Sequence, residues 1–331
     1  MKINRERKNK ILHACIILFA VTFVLTGVLL LLELWDRGQG EFPEQVTEVT
    51  YFQYNGQEYE PKEGLETFLV MGLDKFEVVE EDTVAYNNDK QADFLLLMVF
   101  DNQAKTCTAI QINRDTMADV HVLGVDGSRI DTVTKQINLS HTYGNGRGVS
   151  CRNVANSVSS LLGDVSVDHY VSMTMDAIPI LNDQVGGVTV EVLDDFTGVD
   201  DTLVKGQTVK LQGEQALRYI RSRKGLEDSS NVNRMKRQQQ YIQALYEQLL
   251  DSMSQSEEFV VDTVLMVEKH IVSDRTPNQL QELAQKMRAY EFTGIRTLEG
   301  ESVKGEQYME FHVDEEATKA MVAELFYQLK D

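Results

Sequence analysis

The chain has 331 residues and a formal net charge of −20. That length allows one large or two modest domains, and the acidic balance argues against nucleic acid as a partner, because a phosphate backbone would be repelled. With 42% hydrophobic and 25% charged residues, four prolines and no internal repeat, the composition is that of a globular protein.

Residues 1–10 carry five basic side chains against one acid, Glu6. The next 22 residues, Ile11 to Leu32, hold no Asp, Glu, Lys or Arg. At about 1.5 Å per residue such a helix crosses a bilayer core of roughly 30 Å, and Trp35 stands where an interfacial aromatic belongs. A cleaved signal peptide would have a shorter apolar region and a small-x-small cleavage site. The segment 11–35 is therefore read as a retained transmembrane helix, with residues 1–10 cytoplasmic and everything after Trp35 outside.

Residues 36–64 read as a polar stalk with a short strand near Val49–Tyr54. From Leu65 the pattern turns globular. Phe68–Leu73 is a strand ending at Asp74. Asp93 opens Phe94–Phe100, apolar on both faces and so a buried central strand. Cys107–Ile112 is a third strand, ending in Asn113, Arg114 and Asp115. Lys135–Gly148 is a polar, glycine-rich loop without the Lys-Ser/Thr ending of a nucleotide-binding loop. Val154–Leu162 is helical, Val167–Met173 a strand, and Asp176–Gln184 a helix. Gly186 and Gly187 turn into the strand Val188–Val192, and Leu211–Leu217 is a short helix. Beyond Leu250, Phe259–His270 is helical, and Thr276, Pro277 and Gln279 open another helix as a capping box. Thr297–Val313 is a hairpin around Gly300–Gly305, and Glu315–Leu329 a closing helix. Strands alternating with helices over 65–331 predict a single α/β domain. Cys15, Cys107 and Cys151 show neither CxxC nor zinc spacing; Cys107 and Cys151 read equally as an extracellular pair or as free thiols.

The densest basic stretch runs from Arg218 to Gln240, with five arginines and two lysines in 23 residues. Tyr219 and Ile220 suggest a strand, which would send Arg221 and Arg223 out of one face. A helix then starts near Asn231 or Asn233, both good N-cap types. On it Arg234 and Gln238 share a face that continues as Ile242, Leu245 and Leu249, the core-facing stripe. Such arginines suit a multiply charged anion such as pyrophosphate, although a solvated basic helix start fits the spacing equally well. Asp74 and Asp93 offer hard oxygen ligands to a divalent cation, or simply cap their strands; Arg114-Asp115 reads either as part of that site or as a local ion pair.

Seven pieces in order resemble the LytR-CpsA-Psr family of cell-wall glycopolymer transferases. They are FLVMGLD ending at Asp74, ADFLLLMV around Asp93, INRDTM around Arg114-Asp115, QIN-x4-YG from Gln136, VGGVTVEV from Val185, LQGEQALRYIRSRKG from Leu211 and NRMKRQQQ from Asn233. The resemblance implies a three-layer α/β/α sandwich with a mixed central sheet and a hydrophobic pocket for a prenyl chain. It implies transfer of a phosphate-linked glycan from a polyprenyl-pyrophosphate carrier to peptidoglycan, with Mg²⁺ (or Mn²⁺) at Asp74 and Asp93. Arg114, Arg221, Arg223, Arg234 and Gln238 match the family's pyrophosphate-binding residues, and Asp93 or Asp115 would take the acceptor proton. Two positions depart from the pattern: Gln91 and Gln136 stand where the family often has Arg and Lys, with Lys90 and Lys135 as neighbouring sources of charge. A non-catalytic prenyl-phosphate or glycan binder regulating wall assembly, and a lipid pyrophosphatase, are the competing readings.

Overall fold

The structure, a computed structural model, describes residues 51–73 and 88–330. The expected transmembrane helix, the basic tail, most of the stalk and Asp74 lie outside the described residues. Among the described residues no helix is long and apolar enough to cross a membrane.

A hairpin of β1 (Phe52–Tyr54) and β2 (Gln57–Pro61) leads into β3 (Leu65–Leu73) and β4 (Ala92–Asp101), followed by β5 (Thr106–Ile112). β6 (Met117–Leu123) and β7 (Arg129–Gln136) form a second hairpin, and α1 (Gly148–Leu161) precedes β8 (His169–Thr174). Next come α2 (Ala177–Gln184), β9 (Thr189–Glu191), β10 (Thr208–Lys210), α3 (Glu214–Arg221) and the long α4 (Asn231–Gln255). The chain closes with α5 (Phe259–Val267), β11 (Ile271–Ser273), α6 (Pro277–Ala289), β12 (Glu291–Thr297), β13 (Gly300–Lys304), β14 (Met309–Val313), α7 (Glu315–Phe326) and β15 (Tyr327–Leu329).

The central sheet has six strands in the order β11-β8-β3-β4-β5-β12. β4 runs antiparallel to both β3 and β5, whereas β3–β8 and β5–β12 are parallel, so the sheet is mixed. The two-residue side-chain period of β4 sorts its apolar residues between two cores. Leu95, Leu97 and Val99 join Val154 and Val158 of α1 and Met321 and Phe326 of α7. Phe94, Leu96 and Met98 face the other way, toward α4 and α6. Helices therefore cover both faces. Each buried side chain of this size contributes roughly 1.5–3 kcal/mol by leaving water, which is why β4 is apolar from Phe94 to Phe100.

Several local expectations change. Tyr219 and Ile220 belong to α3, not to a strand. Ala216, Leu217 and Ile220 are buried at helical spacing, and that stripe outweighs the local β-propensity of two residues. Arg221 is thus the last residue of a helix and Arg223 lies in the following loop, so they do not share a strand face. Ser230, rather than Asn231 or Asn233, caps α4, its hydroxyl accepting from the Asn233 N–H at 3.1 Å. Lys135 and Gln136 end β7, and residues 137–142 form a 3-10 turn, where a loop was expected. The end of the stalk is folded: β2 pairs with β15, which replaces the last turn of the expected closing helix. Glu291–Thr297 adds an unforeseen parallel strand to the main sheet. The Thr276 capping box and the turn at Gly186-Gly187 form as expected, both glycines adopting positive φ.

Cys107 and Cys151 are buried and free, packed in cores on opposite faces of the sheet. Burial pushes the Cys107 thiol up to about 12 and the Cys151 thiol up to about 11, so both are inert packing groups. Beside Cys151, His141 is fully buried, with Nδ1 donating to the Lys90 carbonyl at 2.9 Å. Burial, with a smaller contribution from the Lys90 charge, lowers its pKa to about 4. Because the folded value lies below the unfolded one, His141 contributes stability above pH 6.5 that is lost as pH falls toward 4. At ~1.36 kcal/mol per unit this amounts to about 3 kcal/mol. Unfolding free energy measured from pH 7 to pH 4 should fall by that amount, and His141→Gln should flatten the slope over the same interval. An unchanged slope in the variant would assign the acid sensitivity elsewhere.

Candidate functional site

The site forms where the strand ends meet the start of α4. β3 and β4 bring Leu73 opposite Ala92, and β5 delivers Asn113, Arg114 and Asp115 to the same edge. Arg114 is the hub. Its Nη1 ion-pairs with Asp93, Nη2 donates to Gln91 Oε1 at 2.9 Å, and Nε lies 3.3 Å from Asp115 Oδ1. From the other side, Arg234 Nη2 reaches the Asp93 carbonyl at 3.4 Å and Asn231 Oδ1 at 2.5 Å. Asn113 Oδ1 accepts from both Asn231 Nδ2, at 2.6 Å, and the Asp115 N–H, at 3.0 Å. That amide ties the end of β5 to the first turn of α4.

Of the residues singled out in the sequence, Asp93, Arg114, Asp115, Arg223 and Arg234 meet here. Arg234 is 4% exposed, so the bland reading of a solvated helix start fails for this residue. Its pKa is depressed to about 10, first by burial and then by the Arg223 guanidinium, with Arg114 adding to the effect and Asp93 and Asp115 opposing it. Its Nε is buried and has no hydrogen-bond partner among the described residues. A buried donor left open costs roughly 1–3 kcal/mol, and like charges crowd it, so the site is short of negative charge. Arg221 stands exposed at the end of α3, two residues from Arg223. Gln238, also buried, accepts from Gln111 Nε2 at 3.1 Å and donates to the Ile220 carbonyl at 3.4 Å.

Gln91 and Gln136 lie inside the network. Gln91 Oε1 accepts from Arg114 and from Asn138 Nδ2 at 2.9 Å. Gln136 Nε2 donates to Asp115 Oδ1 at 3.1 Å and to the Met309 carbonyl at 2.7 Å. Lys135, on the opposite face of β7, is exposed and contacts the Tyr143 hydroxyl at 3.3 Å. It does not replace a cation at the position of Gln136, because alternate residues of a strand point to opposite sides. Asn113, Asn231, Gln111 and Asn138 were not anticipated as members of the site. The pairing of Asn113 with Asn231 spans 118 positions, and no local pattern encodes it.

Below Gln238 opens a cavity of about 300 Å³ between the sheet and α2, α4 and α6. Val70, Phe94, Leu96 and Ala109 form its floor, and Ile242, Leu245 and Leu249 its roof. Gly72 also lines it, and a Cβ there would lie 2.9 Å from that of Phe94, so a side chain at this position would force a shift in the strands. From Gln238 to Leu249 the helix runs eleven residues, about 16 Å. The site thus joins a cationic head to an apolar slot of a size suited to ligand binding.

For a divalent cation, Asp93 and Asp115 supply the right donor chemistry, oxygen carboxylates. Among the described residues no group of three or more acidic, histidine or cysteine side chains is poised to hold one.

The TagU polyisoprenyl-teichoic acid–peptidoglycan teichoic acid transferase of Bacillus licheniformis is 26% identical over 242 residues, 73% of this chain and 71% of that protein. Its namesake from Halalkalibacterium halodurans is 28% identical over 183 residues, covering 55% of this chain but only 52% of that protein. Biofilm regulatory protein A of Streptococcus mutans is 26% identical over 91% of this chain and 72% of its own length. Among solved structures, TagT bound to LI-WTA superposes with a TM-score of 0.60 at 18% identity, covering 85% of this chain and 94% of that one, a likeness of fold. A model of the LytR_cpsA_psr family matches residues 42–327, and with that span the chain belongs to the LytR_cpsA_psr family.

Proposed function

We propose that this protein is a membrane-anchored transferase that moves a phosphate-linked glycan from a polyprenyl-pyrophosphate carrier to peptidoglycan on the outer side of the membrane. The observation that carries it is Arg234: a buried guanidinium with an open donor, crowded by Arg223 and Arg114, at the head of an apolar cavity. A ligand that satisfies both halves has a multiply charged head and a long apolar tail. The names of the relatives, teichoic acid transferases among them, support the same chemistry. The apolar segment 11–35 is proposed as the anchor that keeps the site near the headgroup layer.

In this reading the prenyl chain lies along α4, and Arg114, Arg221, Arg223 and Arg234 hold the pyrophosphate, with Gln238 at the junction. An acceptor hydroxyl on peptidoglycan attacks the glycan-proximal phosphorus in line. The new P–O bond forms as the bond to polyprenyl phosphate breaks, and the arginines neutralise the departing charge. The hydroxyl proton passes to a carboxylate. Asp93 is proposed for that role because its side chain is 18% exposed against 12% for Asp115, which Gln136 also engages. Mg²⁺ (or Mn²⁺), held by Asp93 with Asp74, would supply further neutralisation of phosphate charge when bound.

The test is a lipid-linked donor with and without acceptor. Metal-dependent formation of glycan-linked peptidoglycan is the expected result. Binding without turnover would leave a non-catalytic binder, and release of the carrier's phosphate without acceptor would make it a pyrophosphatase. Failure to bind any long-chain prenyl phosphate would overturn the whole reading.

A further inference from the structure

Arg237, three residues along α4 from Arg234, has no part in the chemistry above, yet its side chain is fully buried. Its Nε donates to the Tyr219 carbonyl at 2.9 Å, Nη2 donates to the Ser222 carbonyl, and Nη1 ion-pairs with Asp194. The guanidinium sits over the Phe196 ring, 5.5 Å from its centroid, and that ring stacks on Tyr219 at 5.6 Å. Tyr219 and Ser222 bracket the end of α3, where backbone carbonyls have no partner within the helix. A buried arginine from another helix takes two of them. Arg221 is the last residue of that helix, and Arg223 follows Ser222 directly.

The clamp opposes a specific force. Arg223 and Arg234 carry like charges close enough for one to depress the basicity of the other. Without an anion between them, that repulsion pushes the segment carrying Arg223 away from α4. The bond from Arg237 to the Ser222 carbonyl anchors the segment one residue before Arg223.

We propose that Arg237, locked by Asp194, is a positioning residue that holds Arg223 in the anion cluster against its repulsion with Arg234. The proposal rests on the reading of this cluster as an anion site and extends it to a residue that touches no ligand. A lysine at this position keeps the charge but lacks the planar fork that reaches two carbonyls and a carboxylate together.

The experiment is calorimetric titration of the full chain with inorganic pyrophosphate and with farnesyl pyrophosphate, well below the thermal midpoint. Arg237→Lys is compared in the native background and in Arg223→Ala. The expected result is a rise in Kd of tenfold or more in the native background and less than twofold in Arg223→Ala, while the thermal midpoint falls equally in both. Equal losses of affinity in the two backgrounds, or no loss in either, would reduce Arg237 to a structural residue. Asp194→Asn repeats the cycle should Arg237→Lys not fold, and additive losses there would overturn the proposal in the same way. If Arg223→Ala itself leaves pyrophosphate binding unchanged, the anion-site reading falls first and the positioning role with it.

Discussion

Replacing Arg114 with alanine should reduce transfer by about 10²- to 10⁴-fold and leave the circular dichroism spectrum of the domain unchanged. The guanidinium contacts Gln91, Asp93 and Asp115 together. A charge-assisted hydrogen bond contributes roughly 1.5–3 kcal/mol, so losing two toward a phosphate costs about 3–6 kcal/mol of transition-state stabilisation. The variant also leaves the Asp93 and Asp115 carboxylates facing the incoming anion without their shared counter-charge, which acts in the same direction. Arg114→Lys should recover only part of the loss, since a lysine is a point donor where three acceptors are spread around a plane. Steady-state kinetics with a lipid-linked donor decide the matter: turnover near the native rate in Arg114→Ala would remove this residue from the reaction.

The second large effect is expected from Ala109→Phe. Ala109 is 1% exposed in the floor of the cavity, so a phenyl group there occupies space proposed for the prenyl chain. At ~0.8 kcal/mol per buried CH₂, displacing most of one isoprene unit costs about 3 kcal/mol, roughly a hundredfold in Kd for a long-chain prenyl phosphate. Inorganic pyrophosphate, which does not use the cavity, should bind as before. Filling apolar space should at the same time raise folding stability by about 0.5–2 kcal/mol. Opposite signs for stability and lipid affinity would separate a ligand cavity from a structural void. Native affinity for the long-chain lipid in this variant would place the tail elsewhere.

Much of the domain could be read from local pattern. The doubly apolar run Phe94–Phe100 identified the central strand because both of its faces are covered, and alternation or continuity of apolar residues reports directly on that. The Thr276 capping box was equally readable, being complete within four residues. Tyr219-Ile220 misled because two β-favouring residues are too short a window; the stripe from Ala216 to Ile220 shows its helical period only against the rest of the core. β12 and β15 were missed for a related reason. Edge strands bury little, so their sequence carries a weak period, and their pairing is settled by partners about 185 and 270 positions away.

The sequence by itself determined the chemistry on offer: carboxylates at strand ends, arginines in two separate segments, and a helix whose apolar stripe begins with Arg234 and Gln238. It also carried the order of motifs that marks the family. Only the tertiary structure decided that Asp93, Arg114, Asp115, Arg223 and Arg234 share one site, that Gln91 and Gln136 are wired into it, and that Lys135 is not. It alone separated Arg234, which faces the cluster with an open donor, from Arg237, which is spent on backbone carbonyls. The physical reason is that charge and hydrogen-bond energies depend on distance and burial, and neither is a property of a residue's position along the chain.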